Sequence, residues 1–196
     1  LMTQNTLPRI YNSRTLKAYK SKKLNNANFG DFTHNDYQVF LHLVSKIVRV
    51  DEFGRYLEAE QLERQYVLTA KEFSEFFNTD LSHSYKLLNK ACRKLMKTSV
   101  TFYKPEKLEA KEINICAEAT YKPCEGMIEI KFTDSIMPYL TQVTKRFVLY
   151  NLKEIANFGS LYTTRLYELL QDFKTTGWML KTVEELRESL AVGKKF

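Results

Sequence analysis

The stretch that most constrains the fold lies between Thr69 and Lys97. Thr69 and Glu72, three residues apart, form a capping box, which predicts that a helix begins here. The polar run Asn78-Thr79-Asp80 predicts a turn, because short polar side chains compete for backbone hydrogen bonds. Apolar residues recur at helical spacing from Leu81 onward, so a second helix follows. Two helices joined by a tight turn predict a helix-turn-helix.

The second helix has a basic face opposite its apolar face. In a helix-turn-helix the second helix enters the major groove of DNA, and its N-terminal residues lie nearest the bases. His83 and Lys86 are therefore expected near base edges, and the later cations near phosphates, which position without specifying. The alternative is an ordinary solvated lysine-rich face. The residues predicted to contact DNA are Ser82, His83, Ser84, Lys86, Lys90, Arg93, Lys94 and Lys97.

The overall charge favours a polyanionic partner. The formal net charge is +7, and basic residues are dense in the first part of the chain. Residues 1–27 are predicted to be a basic flexible arm whose cations could follow phosphates. A disordered, merely solvated tail is the alternative. The arm's predicted DNA contacts are Lys20, Lys22 and Lys23.

Strands are predicted directly after the basic helix. Ser99–Tyr103, Ile113–Tyr121 and Met127–Phe132 are rich in β-branched and aromatic residues. A helix-turn-helix followed by strands is a winged helix, so the predicted fold class is α+β. The wing is expected to contact DNA through Lys104, Lys107 and Lys111. Strand edges also pair readily with other chains, so a dimer interface is predicted at Ile113, Ile115, Ile128 and Ile130.

The capping-box pattern that begins the first helix of the helix-turn-helix recurs near the end of the sequence. Aligning Thr182 with Thr69 places Glu185 on Glu72. We therefore predict a first winged-helix domain at residues 28–145 and the beginning of a second at residues 146–196. That second domain is expected to be incomplete, lacking its recognition helix.

A strongly periodic helix is predicted between the two copies, at Ser160–Phe173. Its apolar side contains Tyr162, Leu166, Leu169, Leu170 and Phe173, and its opposite side contains Thr164, Glu168 and Gln171. We expect the apolar side to be buried and this helix to act as scaffold.

Several classes of function lack the residues they need. The three cysteines form no CxxC pair and fit a reducing cytosol, so no metal and no cofactor are predicted. A rival enzyme class would nick DNA with a tyrosine nucleophile and a histidine-bound metal. The three histidines, however, are not at ligand spacing, and no phosphate-binding glycine loop is present. Apolar runs are short, which predicts no membrane span and a cytoplasmic protein.

The chain resembles the replication initiators of iteron-bearing bacterial plasmids, the Rep proteins built from two tandem winged helices. The resemblance spans roughly Asn25 to Leu190. Its most specific part is Phe147–Ala156 followed by Ser160–Leu170, which ends in Arg-Leu-Tyr-Glu-Leu-Leu. The remaining residues that carry it are Glu72–Leu95, Ile128–Phe132 and Ile136–Leu140.

This resemblance implies a function that periodicity alone does not. Such initiators bind short direct repeats in double-stranded DNA, the iterons, at a plasmid origin. They also bind an operator as homodimers to repress their own synthesis, and they recruit host initiator and helicase proteins. Two alternatives remain open: a winged-helix transcriptional regulator, and a dimerisation module with only nonspecific DNA contacts.

Overall fold

The computed structural model describes residues 17–104, 107–141 and 147–190. The strands are β1 (Lys17–Ser21), β2 (Gln65–Thr69), β3 (Ser99–Lys104), β4 (Glu109–Asn114), β5 (Cys116–Lys122), β6 (Met127–Phe132) and β7 (Phe147–Asn151). The helices are α1 (Lys22–Asn25), α2 (His34–Ser45), α3 (Ala70–Phe77), α4 (Leu81–Lys97), α5 (Met137–Leu140), α6 (Leu152–Ile155), α7 (Leu161–Gln171) and α8 (Val183–Leu190), with a 3-10 helix at Ala59–Gln61.

The predicted helix-turn-helix is confirmed as α3 and α4. The Thr69 hydroxyl accepts a bond from the Glu72 N–H (3.1 Å), and the Glu72 carboxylate accepts one from the Thr69 N–H (2.9 Å). Asn78 ends α3 in the left-handed conformation, with φ 50°. Asp80 caps α4 by accepting the His83 N–H at 3.0 Å. Local hydrogen bonds therefore set both the length of α3 and the start of α4.

A three-stranded antiparallel sheet lies beside these helices, in the order β2-β6-β5. The β5–β6 hairpin is the wing of this winged helix, because its strand β6 pairs with β2, the strand that leads into α3. Strands β3 and β4 pair with each other in a separate two-stranded sheet. The prediction of one strand over Ile113–Tyr121 is therefore wrong. The chain changes sheets at Ile115, whose N–H bonds to the carbonyl of Thr98 (3.3 Å).

The apolar core lies between α2, α4 and the three-stranded sheet. The fully buried side chains of Tyr37 and Phe40 face it from α2, Leu88 and Leu95 from α4, and Phe132 from β6. The rings of Phe40 and Phe132 meet edge to face at 6.4 Å. Burying each such side chain stabilises the fold by about 1.5–3 kcal/mol, so α4 is held firmly along its inner face.

The predicted dimer interface is corrected by this core. Ile115, Ile128 and Ile130 are completely buried, and Ile113 nearly so. A side chain packed inside its own domain cannot pack against a second copy without unfolding that domain. These four isoleucines are therefore core residues, and only the backbone edges of their sheets remain available for pairing.

The predicted boundaries of the first domain are also corrected. Strand β1 pairs antiparallel with β7, with Lys17 opposite Asn151 and Ser21 opposite Phe147. Residues 17–27 thus belong to the folded unit, whereas residues 1–16 of the predicted arm lie outside the described residues. The same pairing carries the first domain past residue 145.

The face of α7 predicted to be buried is only partly so, because Leu169 is completely buried while three other residues of that face are exposed. Thr164 and Glu168 are buried, whereas Tyr162, Leu166 and Leu170 are 52%, 38% and 49% exposed. Burial is possible because Glu168 accepts hydrogen bonds from Lys20 Nζ (2.6 Å) and Tyr37 Oη (2.6 Å). Partners far away in sequence therefore decide which face of this helix is inside.

The capping box predicted for the second copy is present in α8. The Glu185 N–H donates to the Thr182 hydroxyl (3.1 Å), and the Thr182 N–H donates to the Glu185 carboxylate (2.8 Å). The turn predicted after α8, at residues 191–193, lies outside the described residues. The start of the second copy thus repeats the local structure that begins α3.

Candidate nucleic-acid interface

The exposed face of α4 carries an uninterrupted row of cations. Lys86, Lys90, Arg93 and Lys97 are exposed and recur at intervals of four, three and four residues, which places them on one side of the helix. At 1.5 Å per residue the row is about 16 Å long. Ser82 and His83 are exposed at its N-terminal end. We call the four cations Lys86, Lys90, Arg93 and Lys97 the basic row.

The cations of the basic row have no anionic partners within the described ranges. No carboxylate there lies within salt-bridge distance of Lys86, Lys90, Arg93 or Lys97. The nearby Lys94 differs, since it is half-buried and paired with Asp31. Four unpaired cations on one helix face give a strong local positive potential, which attracts a polyanion.

The N-terminal end of α4 is already occupied by an anion of the chain itself. The Asp80 carboxylate accepts bonds from the Ser82 hydroxyl (2.5 Å) and the His83 N–H (3.0 Å), which together hold the pKa of Asp80 below its usual value. Ser84 is completely buried, and its hydroxyl donates to the Asp80 carbonyl at 3.0 Å. The prediction that Ser84 contacts DNA is therefore wrong.

The lysines predicted from the N-terminal arm have different surroundings. Lys20 is completely buried, where Glu168 and Tyr37 accept its bonds, so the prediction that it contacts DNA is wrong. Lys22 is half-buried and donates to the carbonyl of Asp172 (2.7 Å). Only Lys23 is exposed. Successive side chains of β1 point to opposite faces, and that of Lys20 points into the core. The basic composition of this segment does not reveal that direction.

The lysines predicted for the wing lie on the β3–β4 hairpin instead. Lys104, Lys107 and Lys111 are exposed, and Lys104 lies 3.9 Å from the Glu109 carboxylate. A role for these three in DNA binding stays a prediction. The β5–β6 wing pairs its own charges, joining Lys122 to Glu129 (2.8 Å) and Lys131 to Glu118 (2.8 Å). The wing therefore adds little net charge beside α4.

A groove of about 490 Å³ separates α4 from β5. Its lining includes Cys92, Met96 and Tyr121, with Arg93 and Lys97 at its edge. Asn89 also lines it, and sequence reasoning missed Asn89 because it matches no motif and lies between the basic and apolar faces. The groove brings polar and aromatic groups beside the C-terminal half of the basic row.

Reactive thiols and metal-binding clusters are two groups on which catalysis can depend. Burial raises the pKa of the Cys92 thiol, and it raises that of Cys116 to about 12, so neither is a ready nucleophile. Within the described ranges no group of three His, Cys, Asp or Glu side chains is placed to hold a metal ion. In the same ranges no helix is both long and apolar enough to cross a membrane.

Two known proteins of Escherichia coli are similar to this chain in sequence. A 30% identical stretch of 124 residues relates the chain to a replication initiation protein of Escherichia coli, covering 63% of the chain and 35% of that protein. The PI protein of Escherichia coli is 31% identical over 93 residues, 44% of the chain and 30% of that protein. The chain therefore spans about a third of the length of these relatives.

The fold resembles one solved structure closely. The Pi initiator protein in complex with iteron DNA superposes with a TM-score of 0.71 at 21% identity, covering 92% of this chain and 74% of that one. The family model described as Initiator Replication protein, WH1, matches residues 17–171. This match spans both the helix-turn-helix and the β1–β7 pair. The chain belongs to the initiator replication protein family, and its α+β winged helix is the family's WH1 domain.

Proposed function

We propose that this chain is the DNA-binding part of a plasmid replication initiator that recognises iterons at the origin. The observation that carries the proposal is the basic row, four unpaired cations on the outer face of a helix-turn-helix's second helix. Membership of the initiator family and the likeness to a protein solved on iteron DNA support it. The partner is double-stranded DNA, at the origin and at an operator.

The proposed contacts divide according to their chemistry. His83 and Lys86 lie where recognition helices contact base edges, and they would supply what sequence discrimination α4 provides. Lys90, Arg93 and Lys97 lie further along and would bind phosphates. Each neutralised phosphate releases counterions, so log K should fall with log salt by about 0.9 per contact. Affinity from these cations should accordingly be strong at low salt.

Self-association is proposed to use backbone and not side chains. Strand β4 lies at one edge of its sheet and β5 at the edge of the wing sheet, and most of their outward side chains are exposed. An antiparallel copy of either edge would satisfy its free N–H and C=O groups. We propose that such a homodimer binds the operator and represses the chain's own synthesis, and that host initiator and helicase proteins join at the origin.

A second winged helix is proposed to begin at α7. The exposed side of α7 (Tyr162, Leu166 and Leu170) and exposed Val183 of α8 are apolar. The matching part of the first winged helix, α2 followed by α3, packs its apolar side against α4. We propose that α7 serves both units, packing its polar face on the first and its apolar face in the second.

The basic row is tested by charge reversal. The double substitution Lys86→Glu/Lys90→Glu should weaken binding more than tenfold and reduce the salt slope by about two. The probe is a labelled duplex carrying the direct repeats beside the chain's own gene, compared with a scrambled duplex. Lys153→Glu/Lys174→Glu makes the same charge change at exposed residues away from α4 and should leave affinity within about twofold. Unchanged binding and slope in the first variant would contradict the assignment.

Two other functions predict different outcomes. A winged-helix transcriptional regulator would prefer an operator duplex over the direct repeats. A dimerisation module would bind both duplexes equally weakly while sedimenting faster as its concentration rises. We propose no catalytic step, and incubation with supercoiled plasmid and Mg²⁺ should leave the DNA unnicked.

A further inference from the structure

The turn of the wing comes unusually close to α4 at Gly126. This glycine is buried and has φ +61°, a left-handed conformation that favours glycine. A methyl group placed on it would overlap Cε1 of Tyr85 and lie only 3.0 Å from Cζ and Oη of the same ring. The ring of Tyr85 thus covers the backbone of Gly126, and only the absence of a side chain there permits this.

The same glycine is held from its other side by α3. The N–H of Ala70, the first residue of α3, donates to the Gly126 carbonyl at 2.8 Å. Within the turn, the Gly126 N–H donates to the Pro123 carbonyl at 3.2 Å. Gly126 therefore contacts both helices of the helix-turn-helix, one through its backbone and the other through an aromatic ring.

Tyr85 lies in the N-terminal half of α4, which has fewer buried side chains than the C-terminal half. In the C-terminal half of the helix, Ala91, Cys92 and Leu95 are buried in the core. In the N-terminal half only Ser84 and Leu88 are buried, and Leu81 is 42% exposed. Tyr85, 38% exposed, adds an aromatic contact between this half and the wing, and it is the neighbour of Lys86 in the helix.

We infer that Tyr85 is a positioning residue, which holds the base-contacting end of α4 and the wing at a fixed distance by packing on Gly126. This inference rests on the proposed function, because it assumes that α4 binds DNA. Tyr85 acts here through its contact with the hairpin and not through a contact with a base. Losing that contact should reduce the preference for the direct-repeat duplex more than it reduces nonspecific binding.

A double-mutant cycle tests the inference. Tyr85→Ala and Gly126→Ala should each lower the ratio of direct-repeat to scrambled affinity about fivefold to tenfold. Gly126→Ala made in the Tyr85→Ala background should change that ratio by less than twofold, since no ring is left to displace. Additive losses would mean that Tyr85 contacts DNA itself, and would overturn the inference.

Backbone strain is separated from displacement of the ring by a matched control. Gly54 is also left-handed, with φ +77°, but has no atom near the position of an added methyl group. Gly54→Ala should lower the melting temperature because it strains the backbone. It should leave the ratio of direct-repeat to scrambled affinity unchanged. Should Gly126→Ala fail to fold, Gly126→Asn adds the same Cβ with less strain, because asparagine tolerates this conformation.

The result also distinguishes this inference from the proposed function. If Lys86→Glu/Lys90→Glu leaves binding unchanged, the proposed interface fails whatever the cycle gives. If that variant loses binding but Tyr85 and Gly126 couple only in melting temperature and not in the affinity ratio, the contact is purely structural. The inference is then overturned and the interface stands.

Discussion

At the scale of single residues, Glu168 is the centre of a buried network of charged and polar groups. Its carboxylate is completely buried and accepts bonds from Lys20 Nζ (2.6 Å), Tyr37 Oη (2.6 Å) and Arg165 Nη1 (3.0 Å). Burial alone would raise the pKa of Glu168, but the charges of Lys20 and Arg165 outweigh this and hold it below its usual value. One carboxylate therefore balances two buried cations, one from β1 and one from its own helix.

Glu168→Gln should destabilise the chain strongly. It removes the carboxylate that Lys20 and Arg165 both contact in the buried network, and breaking comparable buried pairs costs about 3–5 kcal/mol. Urea unfolding followed by circular dichroism measures the loss. Glu188→Gln, on the exposed side of α8, is the matched control and should stay within about 0.5 kcal/mol. Equal midpoints for the two variants would contradict the role of the buried network.

His42 makes the stability sensitive to acid. It is buried among the rings of Phe73, Phe76 and Phe77, and its Nδ1 has no hydrogen-bond partner within the described ranges. Burial, assisted by Lys46 and opposed by Glu72, lowers the pKa of His42 to about 3. The unfolded chain takes up this proton below its ordinary pKa of about 6.5 and the folded chain does not. The contribution of His42 is therefore complete above pH 6.5 and is lost as pH falls toward 3.

The acid effect is measured by comparing variants. Between pH 7 and pH 4, the native chain should lose about 3 kcal/mol more unfolding free energy than His42→Phe. Using the difference is necessary because Asp172, whose pKa burial raises to about 6, acts in the opposite direction in both proteins. His83→Phe changes an exposed histidine and should follow the native curve. Parallel curves for the native chain and His42→Phe would refute the prediction.

At the scale of elements, local sequence signals determine where helices begin, whereas partners distant in the chain determine which helix face is buried. The starts of α3 and α4 follow from Thr69, Glu72 and Asp80, which bond within three residues of themselves, so the sequence alone predicts them. The side of α7 that is buried depends on Lys20, 148 residues away in the chain. No periodicity in α7 contains that information, and the same limit hid the change of sheet at Ile115.

The orientation of α7 predicts two unequal substitutions. Leu166→Lys/Leu170→Lys alters exposed residues and should change the unfolding free energy of this chain by no more than about 0.5 kcal/mol per site. Leu169→Ala removes a fully buried side chain and should cost about 2–5 kcal/mol. Thermal or urea unfolding of both variants measures this. A large loss from the lysine pair would restore the predicted inward apolar face.

At the scale of the whole molecule, the candidate site was predictable where it depends on local sequence and not where it depends on packing between distant segments. The basic row is a property of one helix, so its spacing in the sequence sufficed to find it. The contact of Tyr85 with Gly126 and the burial of Lys20 depend on how separate segments pack. The segments themselves are joined by Arg165, which is buried and donates to the carbonyls of Asn25 (2.7 Å), Ala27 (2.8 Å) and Ser189 (3.0 Å).

Arg165 should consequently tie α8 to the first winged helix. Arg165→Lys keeps the charge but cannot reproduce a planar group that bonds several carbonyls at once. Amide hydrogen exchange should speed up in α8 and at residues 25–27, and stay unchanged in α4, which has no contact with this guanidinium. Arg55→Lys, at an exposed ion pair with Asp51, provides the control and should leave every segment protected as before. If α8 keeps its protection when Arg165 is changed, packing and not this guanidinium holds α8 to the first winged helix.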